Sequence, residues 1–388
     1  MSRIEDMIAE LSPNGVKLVP LGERGEFIRG SGLQKSDLTD AGVPAIHYGQ
    51  IHTHYGIWTD STKSFTLPER AAKLRRAKQG DLVIATTSED DQAVAKATAW
   101  LGVEEAAVSG DAYIYRHNLD PRFVAYFFAS ERFQEQKARH LTGTKVRRVS
   151  GDALAKIRIP VPPFEVQREI VRVLDQFTQL GAELEAELEA RQQQYNHYRN
   201  ALLDLADPSV LRVPLGEIAV VGTGSHDTKD AIVSGEYIFY ARGREPLRLN
   251  SYDFDERAVI TAGDGVGVGK VFHFADGKYA LHQRAYRIVP GPRINPRFLY
   301  HFLVSNFAKY LERTSVHASV TSLRRPMFLN YPVPVPPVEE QERIVEILDR
   351  FETLTRDLSF GLPAELAARR KQYEYYRDKL LTFEGVAS

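Results

Sequence analysis

Two basic stretches that are rich in small polar residues occur in the two halves of the chain. The first runs from Leu141 to Val149 and the second from Val316 to Arg325. Eight Lys or Arg residues stand against three Asp or Glu between Glu131 and Arg158, and six stand against one between Arg293 and Arg325. Cationic side chains bind phosphates and read base edges, while small residues let backbone N–H groups approach phosphates. The pattern predicts one duplex-binding face in each half, with a solvated charged surface as the alternative.

The candidate DNA contacts are the polar and cationic side chains of these stretches, together with three further cations of the second half. They are Thr144, Lys145, Arg147 and Arg148 in the first half, and Ser319, Thr321, Arg324, Arg325, Lys270, Arg242 and Arg244 in the second. All of these could bind phosphate, and the arginines could also read guanine. None of them suggests bond-breaking chemistry.

Four patterns resemble catalytic motifs but lack a needed residue. Val161 to Phe164 is similar to the Asn-Pro-Pro-Phe motif of amino-methyltransferases, with Val in place of Asn. Residues 263–270 resemble a phosphate-binding loop, but Asp264 replaces a required Gly and Val271 replaces the Ser or Thr that would bind Mg²⁺. We interpret the first as a strand-to-helix transition and the second as a tight loop near DNA.

The other two patterns are shorter. Glu135 to Lys137 imitates a nuclease Glu-x-Lys, but it falls on a predicted helix without an Asp partner. His52 and His54 have no neighbouring carboxylate or further His, so loop histidines are expected rather than metal ligands. The sequence therefore predicts no catalytic residue and no metal site.

Composition indicates an ordinary globular protein. The 388 residues are 43% hydrophobic and 26% charged, with a net charge of −1. That length is enough for two or three domains. The chain has no Cys, which excludes disulfides and thiolate zinc sites. No secretory leader or membrane-spanning stretch is recognised in the sequence, so a cytoplasmic location is expected.

A long internal repeat organises the whole chain. Pro163, Gln167 and Phe177 match Pro337, Gln341 and Phe351, and Val19 to Glu23 recurs as Val213 to Glu217. Further along, Tyr195, Tyr198 and Arg199 match Tyr373, Tyr376 and Arg377 after four extra residues near Gly361 and Pro363. Two tandem units follow from this repeat.

Each unit ends in a stretch with the spacing of a coiled-coil seam. Apolar residues alternate in steps of four and three from Val166 to Leu184, and after a stutter the pattern resumes at Tyr195. Pro-rich segments set the helix starts, and Gly361 with Pro363 predicts a break in the second helix. An ordinary core helix is the alternative. The expected pairing and docking side chains are Phe177, Leu180, Leu184, Tyr195, Tyr198, Phe351, Leu354, Tyr373 and Tyr376.

The predicted fold class is α+β, with two tandem units, each a mixed α/β domain followed by a long helix. The two long helices are expected to pair as an antiparallel coiled coil. The expected boundaries are 1–160 for the first recognition domain, 161–206 for the first helical spacer, 207–335 for the second recognition domain and 336–388 for the second spacer. Within the first domain we predict strands at 45–48, 81–85, 112–115 and 155–161, and one helix from 120 to about 139. The second domain should have a helix from 295 to about 311 and a strand at 328–335.

These features resemble the specificity subunit of type I restriction–modification enzymes, in particular its IC subclass. The residues that carry the resemblance are the twin segments 194–203 and 372–381, the Pro-Val-Pro-Pro before each helix, residues 346–351 and Gly361 to Pro363. The likeness covers the full chain. The recognition domains vary within that family, so the target sequence does not follow from it.

The resemblance implies a non-catalytic subunit whose two target recognition domains each read half of a split, asymmetric double-stranded DNA site. It also implies two methyltransferase subunits, two restriction or motor subunits, and a part in phage defence. S-adenosylmethionine, ATP and Mg²⁺ would belong to those partners, and no cofactor to this chain. Residues Ala182 to Ala206 would span roughly 37 Å as a helix, close to the ~34–36 Å between half-sites one DNA turn apart.

Three other interpretations stay open from the sequence. A self-sufficient methyltransferase or nuclease would need motifs that are missing. A coiled-coil adaptor that binds only protein would explain the helices but not the basic stretches. A specificity subunit of a methylation-only system, without a nuclease partner, stays open within the same family resemblance.

Overall fold

A computed structural model describes residues 2–314, 324–357 and 359–383 of the chain. The chain divides into two compact units. The first consists of Met1–Glu183 and Leu366–Ser388, and the second of Leu184–Glu365. Each unit therefore contains one mixed α/β domain, the first half of the helical stretch that follows it, and the second half of the other helical stretch.

The first domain and its following helix contain seven α-helices and thirteen strands among the described residues. The helices are α1 (Ser2–Leu11), α2 (Tyr48–Thr53), α3 (Pro68–Ala71), α4 (Pro121–Ala129), α5 (Glu131–Ala138), α6 (Gly151–Lys156) and α7 (Phe164–Leu203). The strands are β1 (Lys17–Pro20), β2 (Gly25–Arg29), β3 (Val43–Ile46), β4 (Trp58–Thr59), β5 (Ser64–Thr66), β6 (Arg76–Ala77), β7 (Leu82–Ala85), β8 (Thr87–Ser88), β9 (Ala97–Trp100), β10 (Ala106–Val108), β11 (Ala112–His117), β12 (Arg147–Arg148) and β13 (Arg158–Val161).

The rest of the described chain continues the numbering. Its helices are α8 (Leu215–Ile218), α9 (Pro296–Thr314), α10 (Arg325–Leu329), α11 (Val338–Arg356) and α12 (Leu362–Leu381). Its strands are β14 (Arg212–Pro214), β15 (Ala219–Thr223), β16 (Tyr237–Tyr240), β17 (Leu247–Leu249), β18 (Phe254–Ala262), β19 (Phe272–Leu281), β20 (Ala285–Pro290) and β21 (Pro332–Pro334).

Mixed sheets form the centre of each domain. In the first, a five-stranded sheet has the order β2-β11-β7-β9-β4 and a four-stranded sheet the order β5-β3-β10-β6. The second has a six-stranded sheet of order β15-β20-β18-β19-β16-β17. A short antiparallel pair, β1 with β13 or β14 with β21, joins the start of each domain to its end. The predicted fold class of two repeated mixed α/β units with long helices is confirmed.

Aromatic side chains fill the space between sheet and helices. In the first unit the rings of Phe127, Phe128 and Phe133 pack together in a core that also holds Ile170 of α7 and Leu381 of α12. Each fully buried large side chain stabilises the fold by about 1.5–3 kcal/mol relative to its exposed state. Residues far apart in sequence therefore depend on one another for burial.

A repeated glutamine fixes the start of each long helix. The Gln167 side chain accepts a hydrogen bond from the Asp120 N–H at 3.0 Å and donates one to the Pro162 carbonyl at 2.8 Å. Gln341 makes the same two bonds, from the Asn295 N–H at 2.7 Å and to the Pro336 carbonyl at 2.8 Å. Both amides satisfy buried backbone groups that would otherwise be unpaired.

Helix pairing is visible within each unit. In the first, the rings of Phe177 and Tyr376 stack with centroids 5.4 Å apart. In the second, Phe351 stacks on Tyr198 at 5.5 Å, and Arg356 lies over the Tyr195 ring at 5.3 Å. The later residue of α11, Arg356, thus contacts the earlier residue of α7, Tyr195, so these two segments run antiparallel.

The structure corrects several expected element boundaries. The single helix expected up to residue 139 is two helices, because Ser130 ends α4 and its side chain caps α5 through the Phe133 N–H. The first strand ends at Ile46, since His47 caps α2. Helix α6 occupies the start of the strand expected at 155–161, and α10 overlaps the start of the one expected at 328–335.

The break in the second helical stretch is confirmed. Helix α11 ends at Arg356 and α12 begins at Leu362. A Cβ on Gly361 would lie only 2.5 Å from the Thr353 carbonyl oxygen, so only glycine fits there without a shift of the backbone. The first long helix is continuous but ends at Leu203, three residues before the expected Ala206.

Candidate nucleic-acid interface

The first basic loop, residues 141–149, folds as a tight hairpin on the edge of the domain. Thr142 and Arg148 exchange two backbone hydrogen bonds, and Gly143 has a φ of 87°, a value that favours glycine. Strand β12 at its end pairs with β8 through Arg147 opposite Ser88. Thr144, Lys145 and Arg148 are exposed on this hairpin, which brings the four predicted contacts of the first unit together.

An acidic neighbour orients one of these cations. The Arg147 Nε lies 2.7 Å from a carboxylate oxygen of Asp91, and its Nη1 donates to the Gly143 carbonyl at 2.7 Å. Asp91 belongs to the acidic loop, residues 88–96. Lys137, which is buried, donates to the carbonyls of Asp91, Gln92 and Val94 at 2.7–3.1 Å. Lys137 therefore holds the loop that holds Arg147, a role that sequence reasoning missed.

The hairpin lies beside a polar pocket at the same end of the five-stranded sheet. The Thr86 N–H donates to the Asp111 carbonyl at 3.0 Å, while its own carbonyl accepts from the Val149 N–H. Asp111 lines a pocket of about 500 Å³ together with Arg29, Lys35, His47 and other small or polar residues. Burial lowers the pKa of His47 below its ordinary value, which favours the neutral ring.

In the second unit three segments that are distant in sequence meet around one carboxylate. Arg242 Nη1 donates to Asp264 Oδ1 at 2.8 Å, and Arg284 Nη1 donates to Asp264 Oδ2 at 3.1 Å. Lys270 and Arg244 are exposed and stand at the ends of the same segments. Arg242 was predicted from the sequence, whereas Arg284 and Asp264 were not.

The glycine loop, residues 263–270, keeps a defined shape. Gly265 and Gly269 have φ values of 77° and 68°. The Gly263 N–H donates to the Arg284 carbonyl at 2.8 Å, and a Cβ on Gly267 would come within 2.7 Å of the Arg242 carbonyl oxygen. The glycines thus permit the close approach of three backbone segments. We interpret this packing, and not the binding of a nucleotide phosphate, as the reason for their spacing.

The two described arginines of the second basic stretch do not occupy the positions of Arg147 and Arg148. Ser150 caps α6, and Arg324 stands at the same place before α10. Arg324 and Arg325 are exposed at this helix start. In the first unit the same place comes after the hairpin, so Arg324 and Arg325 are not the counterparts of Arg147 and Arg148. Two of the predicted contacts, Ser319 and Thr321, lie outside the described residues.

An ion-pair joint connects each domain to its long helix. In the first joint, Asp175 accepts hydrogen bonds from Arg122 Nη1 and Tyr126 Oη, both at 2.7 Å. In the second joint, Asp349 accepts from Arg297 Nε at 3.1 Å and lies 2.7 Å from His301 Nε2. Burial alone would raise the pKa of Asp349, but His301 and Arg297 outweigh it and hold that pKa below 3.8.

The second joint also contains the one His and carboxylate cluster of the described residues that is compact enough for a metal ion. Its members are His301, Asp349 and Glu352. Arg297 Nη2 donates to Glu352 at 2.7 Å as well as binding Asp349. Because one guanidinium bridges both carboxylates, and the first joint is built the same way without a histidine, we interpret the cluster as structural.

The predicted pairing residues divide between the two units. Phe177, Tyr373 and Tyr376 lie in the first unit and Tyr195, Tyr198 and Phe351 in the second, where Tyr195 is buried against the domain. Leu184 is half-buried, while Leu180 and Leu354 are more than a third exposed. These exposed side chains leave apolar surface on the helices.

Comparison with known proteins agrees with this architecture. The family model described as the type I restriction modification DNA specificity domain matches residues 13–191 and again 211–368. The specificity subunit of the type I restriction enzyme EcoR124I/EcoR124II of Escherichia coli is 33% identical over 268 residues, which are 61% of this chain and 65% of that protein. The chain thus aligns with slightly less than two thirds of that relative.

Solved structures share the fold. The S subunit of a type I restriction–modification system from M. genitalium superposes with a TM-score of 0.59 at 13% identity, over 95% of this chain and 96% of that one. A chain from a structural study of complex assembly in a type I system gives a TM-score of 0.60 at 18% identity, covering 95% and 98%.

The same family domain occurs twice along the chain, which defines the class of protein as a chain with two DNA-specificity domains. The chain belongs to the type I restriction–modification specificity subunit family. Subunits of this family are non-catalytic, in agreement with the predicted absence of catalytic residues. No helix that the structure describes could cross a membrane.

Proposed function

We propose that the chain recognises a split, asymmetric site in double-stranded DNA, with each mixed domain reading one half. The observation that carries this proposal is that two features occur in both units, the first of them at different places in the two domains. Each has a basic loop cluster with ordered arginines, and each domain is attached to a long helix by an Arg–Asp joint. Ordered cations can read bases, and a stiff helix can set the distance between the two halves.

The partners follow from the family. We infer that the chain docks two methyltransferase subunits and, in a full restriction complex, two restriction or motor subunits. S-adenosylmethionine, ATP and Mg²⁺ would then be bound by those partners and not by this chain. The partly exposed Leu180, Tyr198 and Leu354 are our candidates for docking surface, because exposed apolar patches mark interaction sites and aromatic residues are enriched at interfaces.

Three finer assignments remain part of the proposal. The IC subclass rests on the twin helical segments. The four boundaries, 1–160, 161–206, 207–335 and 336–388, separate recognition from spacer regions. A location in the bacterial or archaeal cytoplasm, where the DNA substrate lies, completes it.

Adenine-methylation mapping tests the function directly. Cells that produce this chain with its candidate methyltransferase are compared with cells that produce the methyltransferase alone. A split motif that requires both proteins supports the proposal. Well-folded proteins with no new motif would instead favour the protein-binding adaptor, and a motif without restriction in vivo would indicate a methylation-only system.

Arg147 and Arg148 should serve one half-site only. We expect the double change to Ala to reduce methylation at sites that depend on the first half roughly tenfold or more, because one well-placed contact discriminates bases by about 1–3 kcal/mol. The matched control is the double change Lys17→Ala with Lys156→Ala. It removes two exposed positive charges of the same unit that lie outside the hairpin residues 141–149. Equal relaxation of both half-sites, or none, would contradict the assignment.

A further inference from the structure

Arg242 and Arg284 of the second unit are not isolated cations, because both bind the Asp264 carboxylate. Both carboxylate oxygens of Asp264 are occupied, one by Arg242 at 2.8 Å and the other by Arg284 at 3.1 Å. The Asp264 side chain is 23% exposed, whereas those of Arg242 and Arg284 are 39% and 62% exposed. The carboxylate is therefore the inner member of the cluster and the two guanidinium groups are the outer ones.

Asp264 carries its negative charge at neutral pH. Burial alone would raise its pKa, but the hydrogen bonds and positive charges of Arg242 and Arg284 outweigh burial and hold the pKa below 3.8. A guanidinium has five N–H donors, and each arginine has one hydrogen bond to Asp264. Several donors on each group therefore stay available for an external acceptor.

A carboxylate in a DNA-binding surface lowers attraction to phosphate, so plain affinity does not explain it. What it supplies is orientation. Long arginine side chains lose much rotamer entropy when they bind, and a partner that fixes them beforehand reduces that loss. The glycine loop supports the same outcome, because the Gly263 N–H binds the Arg284 carbonyl at 2.8 Å and the His282 ring accepts from the Arg284 N–H at 2.9 Å.

We propose that Asp264 is a positioning residue that aims Arg242 and Arg284 at base edges of the second half-site, with guanine O6 and N7 as the acceptors that two N–H donors fit. This inference rests on the proposed function and names the device by which one half of the site is read. Asp264 does not touch DNA in this account. It acts through the two arginines.

Asp264→Asn tests the proposal, because it keeps the shape of the side chain and removes its charge. The chain assembled with its methyltransferase is titrated with three duplexes: the mapped site, the same site with the second half scrambled, and an unrelated sequence. We expect affinity for the mapped site to fall about tenfold or more. Affinity for the unrelated duplex should stay level or rise, since a negative charge has gone. Methylation mapping should show relaxed bases in one half-site only.

Asp276→Asn is the matched control. Asp276 pairs with Arg257 at 3.2 Å in the same unit, so the change removes the same charge but leaves the cluster intact. Its ratio of specific to non-specific affinity should equal that of the wild type. If Asp264→Asn raises affinity for all duplexes equally and keeps that ratio, Asp264 acts only as a charge and the proposal is overturned.

A folding defect is separated from a positioning defect by the other half-site. A folded Asp264→Asn chain still reads the first half with wild-type base preference. If the variant does not fold, Arg284→Gln replaces it, because Arg242 then keeps its partner, and it should relax the same half-site. A wild-type complex that binds no split site at all would refute the proposed function itself, whereas an unchanged ratio in the variants would refute this inference alone.

Discussion

At the scale of single residues, Lys137 links the core of the first unit to its basic loop. Only 1% of this lysine is exposed, and its Nζ donates to three backbone carbonyls of the acidic loop as well as to Gln134. A buried cation is costly unless its donors are all used. Here the hydrogen bonds to the loop carbonyls offset the cost of burying the charge. The same bonds fix the loop that carries Asp91, the partner of Arg147.

Replacing Lys137 with Met should destabilise the chain by about 2–4 kcal/mol, because it leaves buried carbonyls unpaired.

Burial lowers the pKa of Lys137 from 10.5 to about 8. Between pH 8 and pH 10.5 the Lys137 amine is protonated in the unfolded state but not in the folded state. The free energy of unfolding that depends on Lys137 therefore rises with pH over this range, by at most about 3 kcal/mol. Urea unfolding of both proteins across this range measures the difference. A difference independent of pH would contradict it, and exposed Lys156→Met is the control.

At the scale of elements, local spacing predicted what depends on neighbours in sequence. The seam of α7, the Pro-rich strands before each helix and the break at Gly361 all follow from residues within a few turns. The break at Ser130 could also have been found, because Ser before Glu131 is a good helix cap. The strong apolar pattern on both sides of it favoured one continuous helix instead.

The candidate site was predictable only in part. Basic composition located the first hairpin and Arg242. Arg284 and Asp264 were missed because strands β18, β19 and β20 bring them together, and such pairing leaves no local spacing in the sequence. Asp91 was missed for the same reason, since its partner lies 56 residues further on.

The joints should set the angle of each domain on its helix. We expect Asp175→Asn to weaken the bonds from Arg122 and Tyr126, to cost about 1–2 kcal/mol, and to broaden the range of spacer lengths between half-sites that the complex methylates. The bases of each half should stay the same. A library of sites with varied spacers measures this, and Glu346→Gln, in an exposed pair with Arg350, is the control. Loss of stability with one unchanged spacer length would show that the joint is only structural.

At the scale of the whole molecule, the first unit is completed by a segment from the other end of the chain, Leu366–Ser388, whereas the second unit is the continuous stretch Leu184–Glu365. Leu380 and Leu381 of α12 are buried in the core of the first unit, in the same cluster of side chains as Leu174 of α7. Asp378 accepts a hydrogen bond from the Glu131 N–H at 2.9 Å, 247 residues away in sequence. The last helix of the chain therefore forms part of the core of the first unit, although the repeat suggests two self-contained halves.

Changing Leu380 and Leu381 together to Ala should destabilise the first unit by about 4–10 kcal/mol, since each buried Leu costs about 2–5 kcal/mol. Hydrogen exchange should rise in α4, α5 and the first half of α7, while β18 to β20 stay protected. Tyr375→Ala, on the same helix but 60% exposed, should change stability by less than about 0.5 kcal/mol. Equal loss of protection in both units would mean that the chain unfolds as one body. Selective loss would show that the last helix stabilises the first unit alone, and methylation mapping of the same variant should then show relaxed bases in one half-site only.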